Sequence, residues 1–381
     1  MLFDQIIGQE YIINYLQTSA KNGRIPHAQL FVGKEGTGTL PIAIAYAQFL
    51  LSLSSDDPEA SKLKSAKLQH PDLHFAFPVT TTDRIKKHPV SNLFMHQWRE
   101  FIMHQPYGSL FNWLQFIGVE NKQGMIGVDE AQDIVKKLQL KSYEGGFKVM
   151  IIWMAEKMNN AASNKLLKLI EEPPEKTIFL LITENEEQLI NTIKSRCQAL
   201  HFPSLSEEDI SNALQKQKQV SQNTALKIAT QSEGNFNKAL HLSNEDSKDL
   251  IFEKWVITWV RSAFKAKGNA AVIQELVSWS DTIAATGREY QKQFLEYCLH
   301  FFRQALLLNY QTPELLFLEI QSSEFEFKNF APFVHSKNIL ALEKELNEAI
   351  YHIERNGNSK IILLDLSMKL TRLLHKKETT L

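Results

Sequence analysis

The stretch Gly33-Lys34-Glu35-Gly36-Thr37-Gly38-Thr39-Leu40 is a glycine-rich turn in which Gly33 and Gly38 are separated by four residues. A turn of this kind between a strand and a helix presents backbone N–H groups and a helix N-terminus to an anion. Phosphoryl transfer asks for more. A lysine directly after the second glycine must reach the β- and γ-phosphates, and a Ser or Thr hydroxyl after it must hold Mg²⁺. Those two positions here are Thr39 and Leu40, and Lys34 stands five residues too early to replace the lysine. Gly33, Gly36, Gly38 and Thr39 could therefore cradle an anion, but the loop is not built for hydrolysis. A second cation, Arg196, follows Ser195 and precedes Cys197. Read alone, it is a surface arginine at a helix end. His70, His74, His88, His96 and His104 have no metal-ligand spacing, and Cys197 reads as a small buried residue.

The elements that must position these groups follow from hydrophobic patterning. Gln29 to Val32 is a short apolar strand before the glycine turn, and a helix containing Pro41 in its first turn follows it to about Leu53. Leu73 to Phe77 is a second strand. Val149 to Trp153, opened by Lys148, and Ile178 to Ile182 are short apolar runs typical of strands buried on both faces. Between them a helix starts at Asn159-Asn160, carries Leu166, Leu167 and Ile170 on one face, and stops at Pro173-Pro174. Leu189, Ile190 and Ile193 predict a short helix ending at residues 195–197. Strand, helix, strand, helix at this spacing is a parallel α/β unit. A further helix begins near Gly127, with Asp129 as its expected cap. Residues 80–124 hold aromatic segments, Phe94 to Phe101 and Tyr107 to Phe116, expected to form one or two helices packed on the domain. Ser206, followed by Glu207, Glu208 and Asp209, is a good N-cap. Three helices are expected near 207–217, 222–231 and 235–242, and from about Ser247 the pattern is helical to the end.

The 381 residues are enough for two or three domains. Net charge is −1, where a chain that grips DNA alone would show a basic excess. Any DNA contact is therefore expected to be shared with partners. Cys197 and Cys298 give no disulfide framework, which suits a reducing cytosol. No apolar run is long enough to span a membrane and the first residues lack a basic signal-peptide region. A cytoplasmic protein is the expectation.

Several motifs as a set carry a resemblance. They are Phe3-Asp4-Gln5-Ile6-Ile7-Gly8-Gln9-Glu10, His27-Ala28-Gln29-Leu30-Phe31, His70-Pro71-Asp72-Leu73, the run Asn164 to Pro174 (Asn-Lys-Leu-Leu-Lys-Leu-Ile-Glu-Glu-Pro-Pro), and Ser195-Arg196-Cys197. Over roughly residues 1–240 the chain resembles the clamp-loader AAA+ ATPases, in particular the delta-prime branch of the bacterial DNA polymerase III clamp loader. The resemblance implies an α/β fold: an AAA+ parallel-sheet core with a degenerate P-loop over 1–205, a three-helix lid over 206–245 and an all-α C-terminal collar domain over 246–381. It implies further losses beyond the P-loop lysine. The strand-end acidic residue that coordinates Mg²⁺ through water is replaced by Met154, with Glu156 the nearest carboxylate. The arginine that touches nucleotide in active relatives is replaced by Asn237, with Lys238 beside it. The four-cysteine zinc module of many relatives is absent from 41–72, so no metal is expected, and no cofactor. The 80–124 segment reads as an insertion.

Arg196, in contrast, matches the arginine that clamp loaders present to a neighbouring subunit's nucleotide. The chain is thus expected to be a non-hydrolysing ring subunit that supplies this arginine in trans while the sliding clamp is loaded onto primed DNA. Its implied partners are the gamma/tau and delta subunits and, through the complex, the clamp and primed DNA, with no membrane. The rival readings are an active gamma/tau-like ATPase and an AAA+-derived scaffold in another DNA-repair assembly. Residues 171–174 are expected either to end a helix or to lie where the domain meets its neighbours.

Overall fold

The computed structural model describes residues 3–55, 57–119, 122–243, 247–267, 269–310, 320, 322 and 325–376. They fall into two compact units, one formed by 1–119 and 123–244, the other by 120–122 and 245–381.

The first unit is built on a parallel sheet of five strands: β1 (Ala28–Val32), β2 (Leu73–Ala76), β3 (Lys148–Ile152), β4 (Thr177–Thr183) and β5 (Gln198–His201). Their order across the sheet is β2-β3-β4-β1-β5, and every pairing is parallel. All residues of β3 and β4 are buried, as a parallel sheet covered on both faces requires. Side chains alternate between the faces. Ile178, Leu180 and Ile182 enter one apolar cluster, and Phe179 and Leu181 enter the other.

The first cluster is covered by α1 (Glu10–Lys21), α2 (Thr39–Leu53), α4 (Met95–His104) and α5 (Leu110–Phe116), with α3 (Pro58–Ala66) beside α2. Helix α2 buries Leu40 to Gln48 without a break, the mark of a helix enclosed by the fold rather than lying on it. The aromatic segments of 80–124 are part of this core. Trp98 stacks on Phe77 with centroids 4.0 Å apart, Trp113 meets Phe77 edge-on at 5.1 Å, and the Trp113 indole N–H donates to the Pro78 carbonyl at 2.8 Å. The other cluster is covered by α6 (Val128–Gln139), α7 (Asn160–Glu171) and the single turn α8 (Asn191–Lys194). Asn159 caps α7 by accepting from the Ala162 N–H at 2.8 Å. After β5 come α9 (Glu207–Lys218), α10 (Gln222–Ser232) and α11 (Phe236–Ser243), which share a small apolar core with Ile7 and Tyr107. Ser206 caps α9 as expected.

Three details differ from the sequence-based expectation. Asp129 does not cap α6. Gly127 holds that position without a side-chain bond, and Asp129, inside the first turn, lies 2.8 Å from Nδ1 of His88. Leu189 and Ile190 are not helical: a 3₁₀ turn over Glu186–Gln188 precedes them and Ile190 is extended, so only Ile193 sits on α8. Strand β5 was not anticipated, because it is an edge strand with three of its four residues exposed and no apolar run to mark it.

Among its described residues the second unit is helical: α12 (Ser247–Lys265), α13 (Ala270–Ala284), α14 (Arg288–Asn309), α15 (Phe327–Phe330), α16 (Ile339–Glu354) and α17 (Ser359–Leu374). Its aromatic stripes turn inward. Trp259 stacks on Trp279 at 4.9 Å and donates its indole N–H to Ser367 Oγ at 2.8 Å, and Cys298 is fully buried among Phe294, Phe301 and Phe302.

Candidate functional site

Gly33, Gly36, Gly38 and Thr39 lie together on the loop between β1 and α2. Gly36 and Gly38 adopt φ of +73° and +93°, conformations in which a side chain is strained. The loop closes on itself through Thr37, whose N–H and hydroxyl both donate to the Lys34 carbonyl. Thr39 opens α2 where a lysine would be needed, Leu40 is buried, and Lys34 is exposed.

The face of the loop is filled by the chain itself. The Phe236 N–H donates to the Gly36 carbonyl at 3.2 Å. A side chain on Gly36 would collide with the Asn235 amide and meet the Phe236 backbone nitrogen at 2.8 Å; one on Gly38 would touch the Tyr107 ring at 3.3 Å. Asn237, in place of the expected arginine, donates from Nδ2 to Glu35 Oε1 at 2.8 Å and to Asn112 Oδ1 at 2.9 Å. Asn235 Nδ2 reaches the same Glu35 oxygen at 3.4 Å. Lys238, next to Asn237, lies 4.0 Å from the Glu233 carboxylate. Tyr107 packs edge-on against Phe236 at 5.0 Å and its hydroxyl accepts from the Ile7 N–H at 2.8 Å. Burial pushes that phenol up to about 12. Gln9 Nε2 donates to the carbonyls of Thr37 at 3.1 Å and Pro203 at 2.7 Å, tying the loop to the chain leaving β5. The loop thus carries its own anion, Glu35, already solvated by amides. A phosphate here would face like charge and would have to displace these bonds.

The strand-end position after β3 is Met154, buried and in the left-handed region at φ +56°. Glu156 is held next to the end of β4 by accepting the Glu184 N–H at 3.1 Å. Burial raises its carboxyl pKa, and Oε2 has no partner among the described residues. Of the histidines, buried His70 accepts the Asp72 N–H at Nδ1 and meets Glu144 through Nε2, both at 3.1 Å. Asp72 in turn accepts from the Tyr143 and Glu144 backbone and from Ser142. The His70-Pro71-Asp72 motif therefore clasps the turn that leads into β3. Among the described residues, no three His, Cys, Asp or Glu side chains form a metal-ligand group. Burial pushes the Cys197 thiol up to about 11, away from the thiolate a nucleophile needs.

Arg196 lies between α8 and β5, away from the loop. In the parallel pairing Gln198 is opposite Gln29 and His201 is opposite Val32. Arg196 is therefore at the edge where β1 begins, whereas Gly33 is at the edge where β1 ends. The pairing levels of Gln29 and Gly33 alone differ by roughly 13 Å at 3.3 Å per residue. The guanidinium points to the same edge as the end of α7. Nη2 is 3.0 Å from Glu171 Oε2, Nη1 donates to the Thr192 carbonyl at 2.9 Å, and Nε is buried with no partner. The side chain keeps 30% of its surface exposed and that of Glu171 keeps 54%.

Of the residues that shape the two places, Glu35, Asn112, Asn235, Tyr107 and Gln9 were not singled out from the sequence. The acidic residue inside the glycine loop is the one local signal for them. The remaining contacts join positions about 30 to 200 residues apart, which no spacing rule detects.

A protein-family model described as DNA polymerase III, delta subunit, matches residues 8–206. The DNA polymerase III subunit delta' of Bacillus subtilis (strain 168) is 30% identical over 242 residues, covering 62% of this chain and 60% of that protein. Subunit tau of the same organism is 27% identical over 248 residues, 64% of this chain and 37% of that protein. Subunit delta' of Escherichia coli (strain K12) is 33% identical over 128 residues, 34% of this chain and 38% of that protein. The matches thus span less than two thirds of each of these relatives.

Proposed function

We propose a role from the premise that this chain belongs to the DNA polymerase III delta subunit family of clamp-loader proteins: it is the delta-prime-type, non-hydrolysing member of a loader ring, and it completes a neighbour's nucleotide site with Arg196. The observation that carries this reading is the placement of its two candidate groups at opposite edges of one sheet. Arg196 cannot serve its own glycine loop from there, which supports a role toward another chain. The loop itself supports the non-hydrolysing half of the reading, since Thr39, Leu40 and Met154 replace the groups that bind phosphate and Mg²⁺ and Asn237 is spent on Glu35. In this reading residues 1–205 are the core, 206–245 the lid and 246–381 the collar that joins gamma/tau and delta subunits. The clamp and primed DNA are met through the assembled, cytoplasmic complex, as the near-neutral net charge favours.

The test is the Arg196→Ala variant in a loader reconstituted from subunits of the same organism. An arginine finger is worth on the order of 10³–10⁵ in rate at a fully dependent site. One site of the ring loses its finger, so DNA- and clamp-stimulated ATP turnover falls in part, and clamp loading, which needs the ring to act together, falls further. Arg196→Lys does not rescue either, since an ammonium lacks the planar fork. Unchanged turnover and loading in an intact complex defeats the finger role; ATP turnover of roughly 1 s⁻¹ or more by the isolated chain defeats the non-hydrolysing role.

A further inference from the structure

We propose that Glu171 is a positioning residue for Arg196: it fixes the guanidinium in the pose from which a neighbouring subunit's phosphate is met. This rests on the trans role of Arg196 proposed above. Glu171 is the last residue of α7, and the helix stops there because Pro173 and Pro174 follow. Arg196 lies just past α8, whose single turn packs on α7. The carboxylate holds Nη2 at 3.0 Å while the Thr192 carbonyl holds Nη1 at 2.9 Å. Two contacts to two different nitrogens fix the plane of the guanidinium as well as its place. One contact alone would let it swing.

The donor count shows what is left for a partner. A guanidinium has five N–H donors. Nη1 donates one to the Thr192 carbonyl, Nη2 pairs with the Glu171 carboxylate, and the Nε donor is buried without an acceptor. Each Nη keeps at least one hydrogen, so both can still reach oxygens of a phosphoryl group. The strength of the tie also fits a guide better than a trap. A carboxylate with more than half its surface in solvent holds its partner weakly, so a multiply charged phosphate outcompetes it. It is still sufficient to select one rotamer of a long side chain in advance, which lowers the cost of reaching the reactive geometry. The end of α7 thereby acquires a task that a helix stop before a turn would not need.

The experiment is a double-mutant cycle in the reconstituted loader. Stimulated ATP turnover and KM for ATP are measured for wild type, Glu171→Ala, Glu171→Gln, Glu171→Asp, Arg196→Ala and the Arg196→Ala/Glu171→Ala double variant. The Arg196-dependent part of the rate is wild type minus Arg196→Ala. We expect Glu171→Ala and Glu171→Gln each to lower that part by up to roughly 10-fold, within the range for a displaced catalytic group, with KM unchanged. Glu171→Asp recovers some of it, and Glu171→Ala has no further effect once Arg196 is gone. If Glu171→Ala leaves the rate unchanged or raises it while Arg196→Ala lowers it, the positioning role is overturned and the trans role survives. An equal loss from Glu171→Ala with and without Arg196 also overturns it, leaving Glu171 a structural end of α7. If Arg196→Ala itself is silent, the trans role fails and this proposal goes with it.

Discussion

The glycine loop follows β1 and the Arg196 corner precedes its neighbour β5, at opposite edges of the same sheet, yet they are held in opposite ways. The loop is enclosed. It draws on Gln9, Tyr107, Asn112 and residues 235–237, from three separate parts of the chain, and its one carboxylate is bonded to amides. The Arg196 corner is local and half open, with one exposed carboxylate, one backbone carbonyl and a buried donor left over. A site that must receive a ligand keeps unspent hydrogen-bonding capacity, whereas a site that has become structural spends it internally. The difference teaches that this glycine loop, with Thr39 after its second glycine, serves as a packing joint between the sheet, the segment of Tyr107 and Asn112, and the start of α11.

The largest expected effect comes from breaking that joint. Phe236→Ala removes a buried ring that packs on Tyr107, next to the backbone N–H that bonds the Gly36 carbonyl. A truncation of this kind costs about 3–5 kcal/mol, to be measured by denaturant unfolding of the isolated chain. If the loop is a joint and not a dormant site, the loosened variant still shows no nucleotide binding by calorimetry. Measurable ATP affinity in Phe236→Ala would mean that the pocket is only shut.

A second prediction uses pH. The 80–124 segment, which supplies Tyr107 and Asn112, is seated by Glu130, whose Oε2 accepts the Ser91 N–H at 2.5 Å and whose Oε1 is buried without a partner among the described residues. Burial pushes this carboxyl up to about 7, Lys137 nearby opposing the shift and Asp133 adding to it. The sign follows from linkage. A group whose folded pKa is raised contributes stability that is fully present below its unfolded value, near 4.5, and lost as pH rises through about 7. The first unit should lose up to about 3 kcal/mol across that window, at 1.36 kcal/mol per pKa unit. Glu130→Gln should flatten the profile, and the Arg196 corner, which does not depend on this seat, should be untouched. Parallel pH profiles for wild type and Glu130→Gln would rule the carboxyl out as the cause.

How much of this could be seen in the sequence depended on the range of the interaction. Strands β1 to β4 were legible because each is a short apolar run with both faces buried, and α7 because Asn159 and Pro173 mark its ends. Strand β5 was not, since Gln198 and His201 face solvent and its register comes only from pairing with β1. Helix α3 was hidden in a polar stretch, though Asp57 with Pro58 is a readable start. Asp129 misled because a good capping residue was placed two positions inside the helix, where it serves His88 instead. For the candidate sites, the absence of a lysine after Gly38 could be read from spacing, whereas Arg196 stood out only through the family resemblance. Filling of the loop by Asn237 and Asn112 could not, because the two residues lie 125 apart in sequence and meet only once the 80–124 segment has folded into the core.

The smallest expected effect is the stability of Arg196→Ala in the isolated chain. Its pair with Glu171 joins a half-buried arginine to an exposed carboxylate, so solvent screens the attraction and the net contribution is about 0.2–1 kcal/mol. Loss of the bond to Thr192 costs little, because an exposed carbonyl turns to water. Removing the guanidinium also frees the buried Nε from its unsatisfied state, a term of opposite sign. The midpoint of chemical unfolding should therefore move by less than that of Phe236→Ala by a factor of several, and added salt should shrink the difference between wild type and variant further. A loss comparable to that of Phe236→Ala would place Arg196 in the framework of the fold. The contrast between an enclosed loop and an open corner would then be lost, since both edges of the sheet would be structural.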